Sequence, residues 1–197
     1  MPKRTCSIDE CERVHVAHGL CDAHYRQQRR GLTIKPVRSF DSDEERFWSK
    51  VDKTETCWNW TASTTLEGYG KFFLSGRLSL AHRVSWAMQG KSIPAGMEMD
   101  HRCLNPSCVR PSHLRVVTCG QNKQNRPRLS SRNQSGVRGV SWSKVSNKWQ
   151  ATAGLNGEAH HGGFFSSIEE ADRAARDLRA KLFTHDDYER WITGAGH

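Results

Sequence analysis

The chain has 197 residues, 36% of them hydrophobic, with seven Trp and seven Phe, which excludes wholesale disorder and suits one ordinary core or several small modules. A net charge of +9 and a pI near 9.4 turn it away from acidic partners and toward polyanions such as nucleic acid. No apolar run approaches the roughly 18 residues of a membrane span, and MPKRTCSIDE lacks the hydrophobic region of a signal peptide, so a cytoplasmic, reducing setting is expected.

In such a setting clustered cysteines mean metal or catalysis rather than disulfides. The seven cysteines divide as three near the N-terminus, three around His101, and Cys119 left over as a spare thiol. Residues 1–35 are expected to form a zinc-knuckle module on Cys6, Cys11, Cys21 and His24, spaced C-x4-C-x9-C-x2-H. Three thiolates and an imidazole suit a tetrahedral Zn2+, and so small a unit has too little core to fold without one. The competing reading is free thiols in a disordered arm. His15 and His18 are rival ligands, but neither is paired with a second cysteine. The unit runs into the basic stretch Tyr25-Arg-Gln-Gln-Arg-Arg30, and Pro36 to Glu45 reads as a linker in which Asp41-Ser-Asp caps a short helix holding Phe47 and Trp48.

Residues 40–127 read as a mixed helix and strand module. Gly68 to Leu74, a Ser75-Gly76 turn and Arg77 to Leu80 predict a hairpin. Ala81 to Gln89 predicts a helix stopped by Gly90. Met97 to Met99 and Leu114 to Val117 are short strand candidates, and Thr118 is placed to cap a helix running to about Arg126 before Pro127. Residues 128–136 form a polar, basic linker. Residues 137–185 then offer strands at Val137 to Ser143, Lys148 to Ala153 and His160 to Phe165. A helix follows, opened by the capping box Ser167 and Glu170, with Ile168, Ala171, Ala175, Leu178 and Leu182 on one face. The expected fold class is therefore α+β, built from small modules.

Within 22 positions lie His101, Cys103, Cys108, His113 and Asn122. Cys103, Cys108 and His113 are zinc-type donors, His101 is a potential general base, and Asn122 is a potential oxygen ligand for a hard cation. No carboxylate occurs from His101 through Gly157, a stretch carrying ten Arg or Lys, and this points to a polyanionic substrate.

This cluster resembles the HNH or ββα-metal nucleases, and within them the His-Cys box homing endonucleases, over roughly residues 45–127. The resemblance implies a ββα-metal core in which His101 is the general base and Asn122 holds a catalytic Mg2+. It further implies that Cys103, Cys108 and His113 bind structural zinc, with the fourth ligand supplied from upstream. Cys57, in Cys-Trp-Asn-Trp, is the free candidate for that place. Asp100 is either a second Mg2+ ligand or an acid that orients a neighbour; His101 has the alternative of a structural histidine beside the zinc. Many relatives carry Asn before the proline where this chain has Arg110, which is read as an added phosphate contact. His82 and Arg83 either bring a cation near the leaving group or form a solvated helix face.

Residues 134–183 look like an AP2 DNA-binding domain on Gly136-Val-Arg-Gly-Val140, Lys148-Trp149, Gly163-Phe-Phe165 and an Ala-rich helix. The resemblance implies a three-stranded sheet laid in the major groove of double-stranded DNA with the helix behind it. A βββα module unrelated to DNA is the alternative. Trp149 reads equally as a DNA contact or as core beneath the helix, and Ser141 and Ser143 stand where arginines are usual. The residues expected to contact DNA are Arg83, Arg110, Lys123, Arg126, Arg128, Arg132, Arg138, Trp142, Lys144, Lys148 and Gln150. Taken together, the expectation is a Mg2+-dependent DNA endonuclease with about two structural Zn2+, acting in a bacterial or phage-infected cell as a monomer or homodimer. Its rivals are a non-catalytic DNA-binding regulator on the same scaffold and an RNA-directed nuclease.

Overall fold

The computed structural model describes residues 4–35, 40, 42–126, 129, 131 and 133–188. Asp41, Pro127, Arg128 and Arg132, together with most of the expected 36–45 linker's start, lie outside the described residues. The chain divides into two compact units, 1–46 and 47–197. In the first, α1 (Asp22–Arg29) packs beside turns on Leu20, Cys6 and Cys21. Among the described residues there, the buried apolar side chains apart from Leu20 are the cysteines themselves, so little transfer energy is available without them.

Helix α2 (Asp43–Trp48) opens on Ser42, whose hydroxyl accepts the N–H of Glu45 at 3.1 Å. It delivers Phe47, 0% exposed, into the core of the second unit. That core joins Phe47, Trp60, Phe72, Ala81, Val84 and Val109, with Phe47 5.1 Å from Trp60 and edge-on to Phe72 at 5.2 Å. The expected hairpin is present as β3 and β4 below, but an additional one precedes it: β1 (Val51–Lys53) pairs antiparallel with β2 (Trp58–Trp60). These three-residue strands are too short to show alternation in the sequence; their pairing is held by Trp packing rather than by pattern. Gly70 lies where a Cβ would meet Trp60 at 2.6 Å, so only glycine fits between that indole and Ala81.

Strands β3 (Lys71–Leu74) and β4 (Arg77–Leu80) form the second hairpin, and α3 (Ala81–Met88) follows. Next come β5 (Glu98–His101), a 3-10 turn at Pro111–His113, β6 (Leu114–Val117) and α4 (Cys119–Gln124). β5 and β6 pair antiparallel, Asp100 opposite Arg115 and His101 opposite Leu114. Thr118 caps α4 as a full capping box with Gln121. The C-terminal strands are β7 (Val140–Ser143), β8 (Lys148–Leu155) and β9 (Glu158–Phe165), an antiparallel sheet in that order, covered by α5 (Ile168–Leu182). Ala151, Ala171 and Ala175 are all 0% exposed, and such small side chains let helix and sheet approach closely. Gly139, at φ +78°, has a Cβ position 2.5 Å from the Thr152 carbonyl, so both its conformation and its surroundings require glycine. Among the described residues, no helix is long and apolar enough to cross a membrane.

Candidate metal centres and catalytic site

Both expected sets of three cysteines and one histidine come together. Cys6, Cys11, Cys21 and His24 place their donor atoms within 4.8 Å of one another, and so do Cys57, Cys103, Cys108 and His113. Zn–S bonds of about 2.3 Å and Zn–N bonds of about 2.0–2.1 Å at tetrahedral angles put donors roughly 3.5–3.8 Å apart. His113 Nδ1 lies 3.7 Å from Cys57 Sγ and 3.6 Å from Cys108 Sγ; His24 Nδ1 lies 3.2 Å from Cys6 Sγ and 3.5 Å from Cys21 Sγ. The donor sets therefore fit a closed structural zinc in type, number and spacing. The Cys103 thiol donating to Cys108 holds that sulfur down at about 5, while Cys103 itself is pushed up.

The second centre is assembled from distant segments. Cys57 precedes β2, whose Trp60 N–H donates to the Ser107 carbonyl at 2.9 Å while Val109 N–H donates to the Trp58 carbonyl at 2.8 Å. Asn105 Nδ2 donates to Asn59 Oδ1 at 2.9 Å, and Ser85 Oγ donates to the Val109 carbonyl at 2.6 Å. Arg110, expected on DNA, makes its hydrogen bonds here. Its Nη1 donates to the carbonyls of Glu55 and Thr56 at 2.6 and 2.7 Å, clamping the loop that presents Cys57.

His101 ends β5 at 6% exposure, with its Nε2 2.9 Å from the Cys108 carbonyl. A carbonyl only accepts, so Nε2 carries the proton and Nδ1 is the basic nitrogen. Burial lowers the His101 pKa against the opposing pull of that hydrogen bond. The His82 ring meets it edge-on at 4.8 Å, and Tyr69 lies 5.8 Å away. His82 is 3% exposed and burial drives its pKa down to about 3. It is neither a solvated helix position nor a cation; it is a neutral wall beside His101. Arg83, next to it, is exposed.

Strand alternation sends Glu98 and Asp100 to the face opposite His101. Asn122 Nδ2 donates to Glu98 Oε2 at 2.6 Å, which commits the amide nitrogen. Asp100 accepts from Arg115 at 2.8 Å and from Asn125 Nδ2 at 3.1 Å. Asn125 also donates to the His101 carbonyl at 3.1 Å, tying α4 to the end of β5. Both Asp100 oxygens are thus engaged by Arg115 and Asn125, and Glu98 by Asn122. Glu98, Asn125, Arg115 and Tyr69 were not singled out in the sequence; Glu98 at two residues before Asp100 was the available signal.

Of the expected DNA contacts, Arg83, Lys123, Arg126, Lys144 and Lys148 are exposed. Lys148, Gln150 and Thr152 share the sheet face away from α5, where Gln150 Nε2 lies 2.8 Å from His161 Nδ1 and Phe164 is 49% exposed. Trp142 and Trp149 pair across β7 and β8 at 5.1 Å on the opposite, helix-side face, with Trp149 against the core and Trp142 46% exposed. Arg138, expected on DNA, has its guanidinium paired with Asp186 at 3.0 Å, donating to the Gln124 carbonyl, and 5.8 Å from the ring centroids of Phe183 and Tyr188. Cys119 is exposed and stands apart from both centres.

Residues 79–124, from the end of β4 through α4, match the family model of the HNH endonucleases. The chain is also similar to three proteins of Escherichia phage T7. It is 32% identical to Protein 2.8 over 81 residues, 40% of this chain and 55% of that protein. It is 31% identical to Protein 7.7 over 70 residues, 36% of this chain and 54% of that protein. It is 28% identical to Protein 3.8 over 125 residues, 64% and 98% respectively. The chain thus spans about half the length of the first two of these relatives. No solved structure matches it.

Proposed function

We propose that the protein is a metal-dependent endonuclease of homing or phage type that hydrolyses phosphodiester bonds in double-stranded DNA. The observation that carries this reading is the 2.9 Å contact of buried His101 Nε2 with the Cys108 carbonyl, which fits Nε2 as donor and leaves Nδ1 as the basic nitrogen, within a segment matching HNH endonucleases. His101 Nδ1 takes a proton from the water that attacks phosphorus, while the rings of His82 and Tyr69 keep bulk solvent from the imidazole. Asn122 and Asp100, with Glu98 beside them, are the residues that would hold Mg2+. When bound, the ion would supply charge stabilisation at the crowded phosphorus and the departing 3′ oxygen. Cleavage on this scheme leaves 5′-phosphate and 3′-hydroxyl ends.

The two cysteine-rich centres take one Zn2+ each, as structure rather than chemistry. The sheet of β7 to β9 serves as an AP2-like reader, its Lys148, Gln150 and Thr152 face turned to DNA. The test is cleavage of supercoiled plasmid in Mg2+, in EDTA, and by His101→Ala. We expect EDTA to abolish cleavage and His101→Ala to slow it at least about 100-fold, the usual scale for losing a general base, with DNA affinity little changed. Tight DNA binding with no cleavage under any condition would favour the rival reading, a DNA-binding regulator.

A further inference from the structure

The charges behind the candidate site do not end with Asp100. Arg115, its cross-strand partner, also pairs with Asp187 at 2.5 Å and donates to the His185 carbonyl at 3.2 Å. The adjacent Asp186 pairs with Arg138 at 3.0 Å and lies 3.4 Å from Arg179. Three aspartates face three arginines, so formal charge cancels, and the most exposed of the six side chains, Arg115, reaches only 20%.

Neutral groups run alongside. Gln124 Oε1 accepts the N–H groups of Thr184 at 3.0 Å and His185 at 3.1 Å. Asn125 holds both ends of the network: its Oδ1 accepts the Asp187 N–H at 3.0 Å, and its Nδ2 donates to Asp100 and to the His101 carbonyl at 3.1 Å. The short segment that follows α5 is therefore stitched to α4 and to the β5–β6 hairpin, the elements that carry His101, Asp100 and Asn122. Buried charges are tolerated only while each keeps its partner, so the network holds or fails as a set.

We propose that residues 184–188 are a clasp that locks the three-stranded module onto the ββα unit, with Asp187 and Arg115 as positioning residues for Asp100 and the end of β5. The clasp sets the offset between the DNA gripped by the β7–β9 sheet and the phosphate that is cut. For its cleavage consequence the proposal rests on the nuclease reading; for its structural consequence it does not.

The test uses the full chain and Asp187→Asn, which removes the negative charge facing Arg115 but keeps the backbone N–H bonded to Asn125. Hydrogen exchange is expected to quicken at 98–101, 114–117 and 184–188 and to stay unchanged at Cys6 to His24. On DNA carrying a preferred site, the parent is expected to cut at one offset. The variant is expected to cut at scattered positions, with kcat lowered roughly ten- to a hundred-fold, as for a misplaced catalytic group, and KM unchanged. Asp187→Glu is expected to restore the single offset. Should Asp187→Asn not fold, Gln124→Met, which removes an acceptor without touching a charge, is expected to behave the same way. Unchanged exchange at 98–101 together with an unchanged cut position overturns the clasp. If the parent itself does not cleave, the nuclease reading fails, and the exchange data alone decide the clasp.

Discussion

The two cysteine-rich centres share a donor set and differ in topology. In the first, the outermost ligands, Cys6 and His24, are 18 positions apart; in the second, Cys57 and His113 are separated by 56. Closing the longer loop costs only about 1 kcal/mol more in chain entropy, since that cost grows with the logarithm of length. The larger distinction is what surrounds each centre. The first stands almost in place of a core, Leu20 being the one buried apolar residue besides cysteines among the described residues there. The second is a staple beside an aromatic core of its own, Phe47, Trp60 and Phe72, and it anchors the loop whose Cys108 carbonyl orients His101. The same chemistry thus builds a fold in one place and tightens a site in the other.

The sharpest way to break that comparison is to remove one thiol from each centre. Structural zinc contributes about 10–16 kcal/mol of apparent binding free energy in small finger peptides. Cys6→Ser is therefore expected to unfold the first unit altogether and to lower the zinc content from about two to about one per chain. All seven Trp lie at position 48 or beyond, so the Trp-detected melting transition should not move in that variant. Cys103→Ser is expected to lower zinc equally but to depress the Trp-detected transition steeply. A Cys6→Ser chain whose first unit keeps native hydrogen-exchange protection would falsify the view that metal replaces core there.

A smaller effect separates the staple from its clamp. Arg110→Ala removes two donors from the carbonyls of Glu55 and Thr56 and is expected to cost about 1–2 kcal/mol in the second unit's stability. Zinc should leave that centre faster in chelator, while the salt dependence of DNA binding stays as in the parent. A flatter salt dependence with unchanged stability would return Arg110 to the DNA surface.

The smallest effect is electrostatic. His82 has a folded pKa of about 3 against an ordinary value near 6.5, so between those values the unfolded chain binds the extra proton. Its contribution to stability is present above about 6.5 and is lost as pH falls, at up to about 1.4 kcal/mol per pH unit. His82→Gln should flatten that acid limb of the Trp-detected unfolding curve. An equally steep limb in the variant would assign the proton uptake elsewhere.

Much of the candidate site was legible before folding because its chemistry is local. The spacing of Cys6, Cys11, Cys21 and His24, the run from His101 to Asn122, the Thr118 cap and the Ser167 and Glu170 capping box are all short-range patterns, and the structure contains the corresponding clusters and caps. Even Cys57 was reachable, because few free cysteines remained to complete a fourth ligand. What was not legible is where long side chains end. Arg110 and Arg138 looked like every other cation in an acid-free basic stretch, yet one is committed to two carbonyls and the other to Asp186, both far along the chain. His82 looked like half of a cationic pair and proved to be a buried neutral ring.

By itself the sequence determined the donor types, the order of helices and strands around His101, and the basic character of the whole, since spacing and composition act over a few residues. Only the tertiary structure decided which charges remain for a substrate. An arginine's partner is chosen by a low-dielectric interior that must neutralise it, and that interior exists only after residues as distant as Asp100, Arg115 and Asp187 have been brought together.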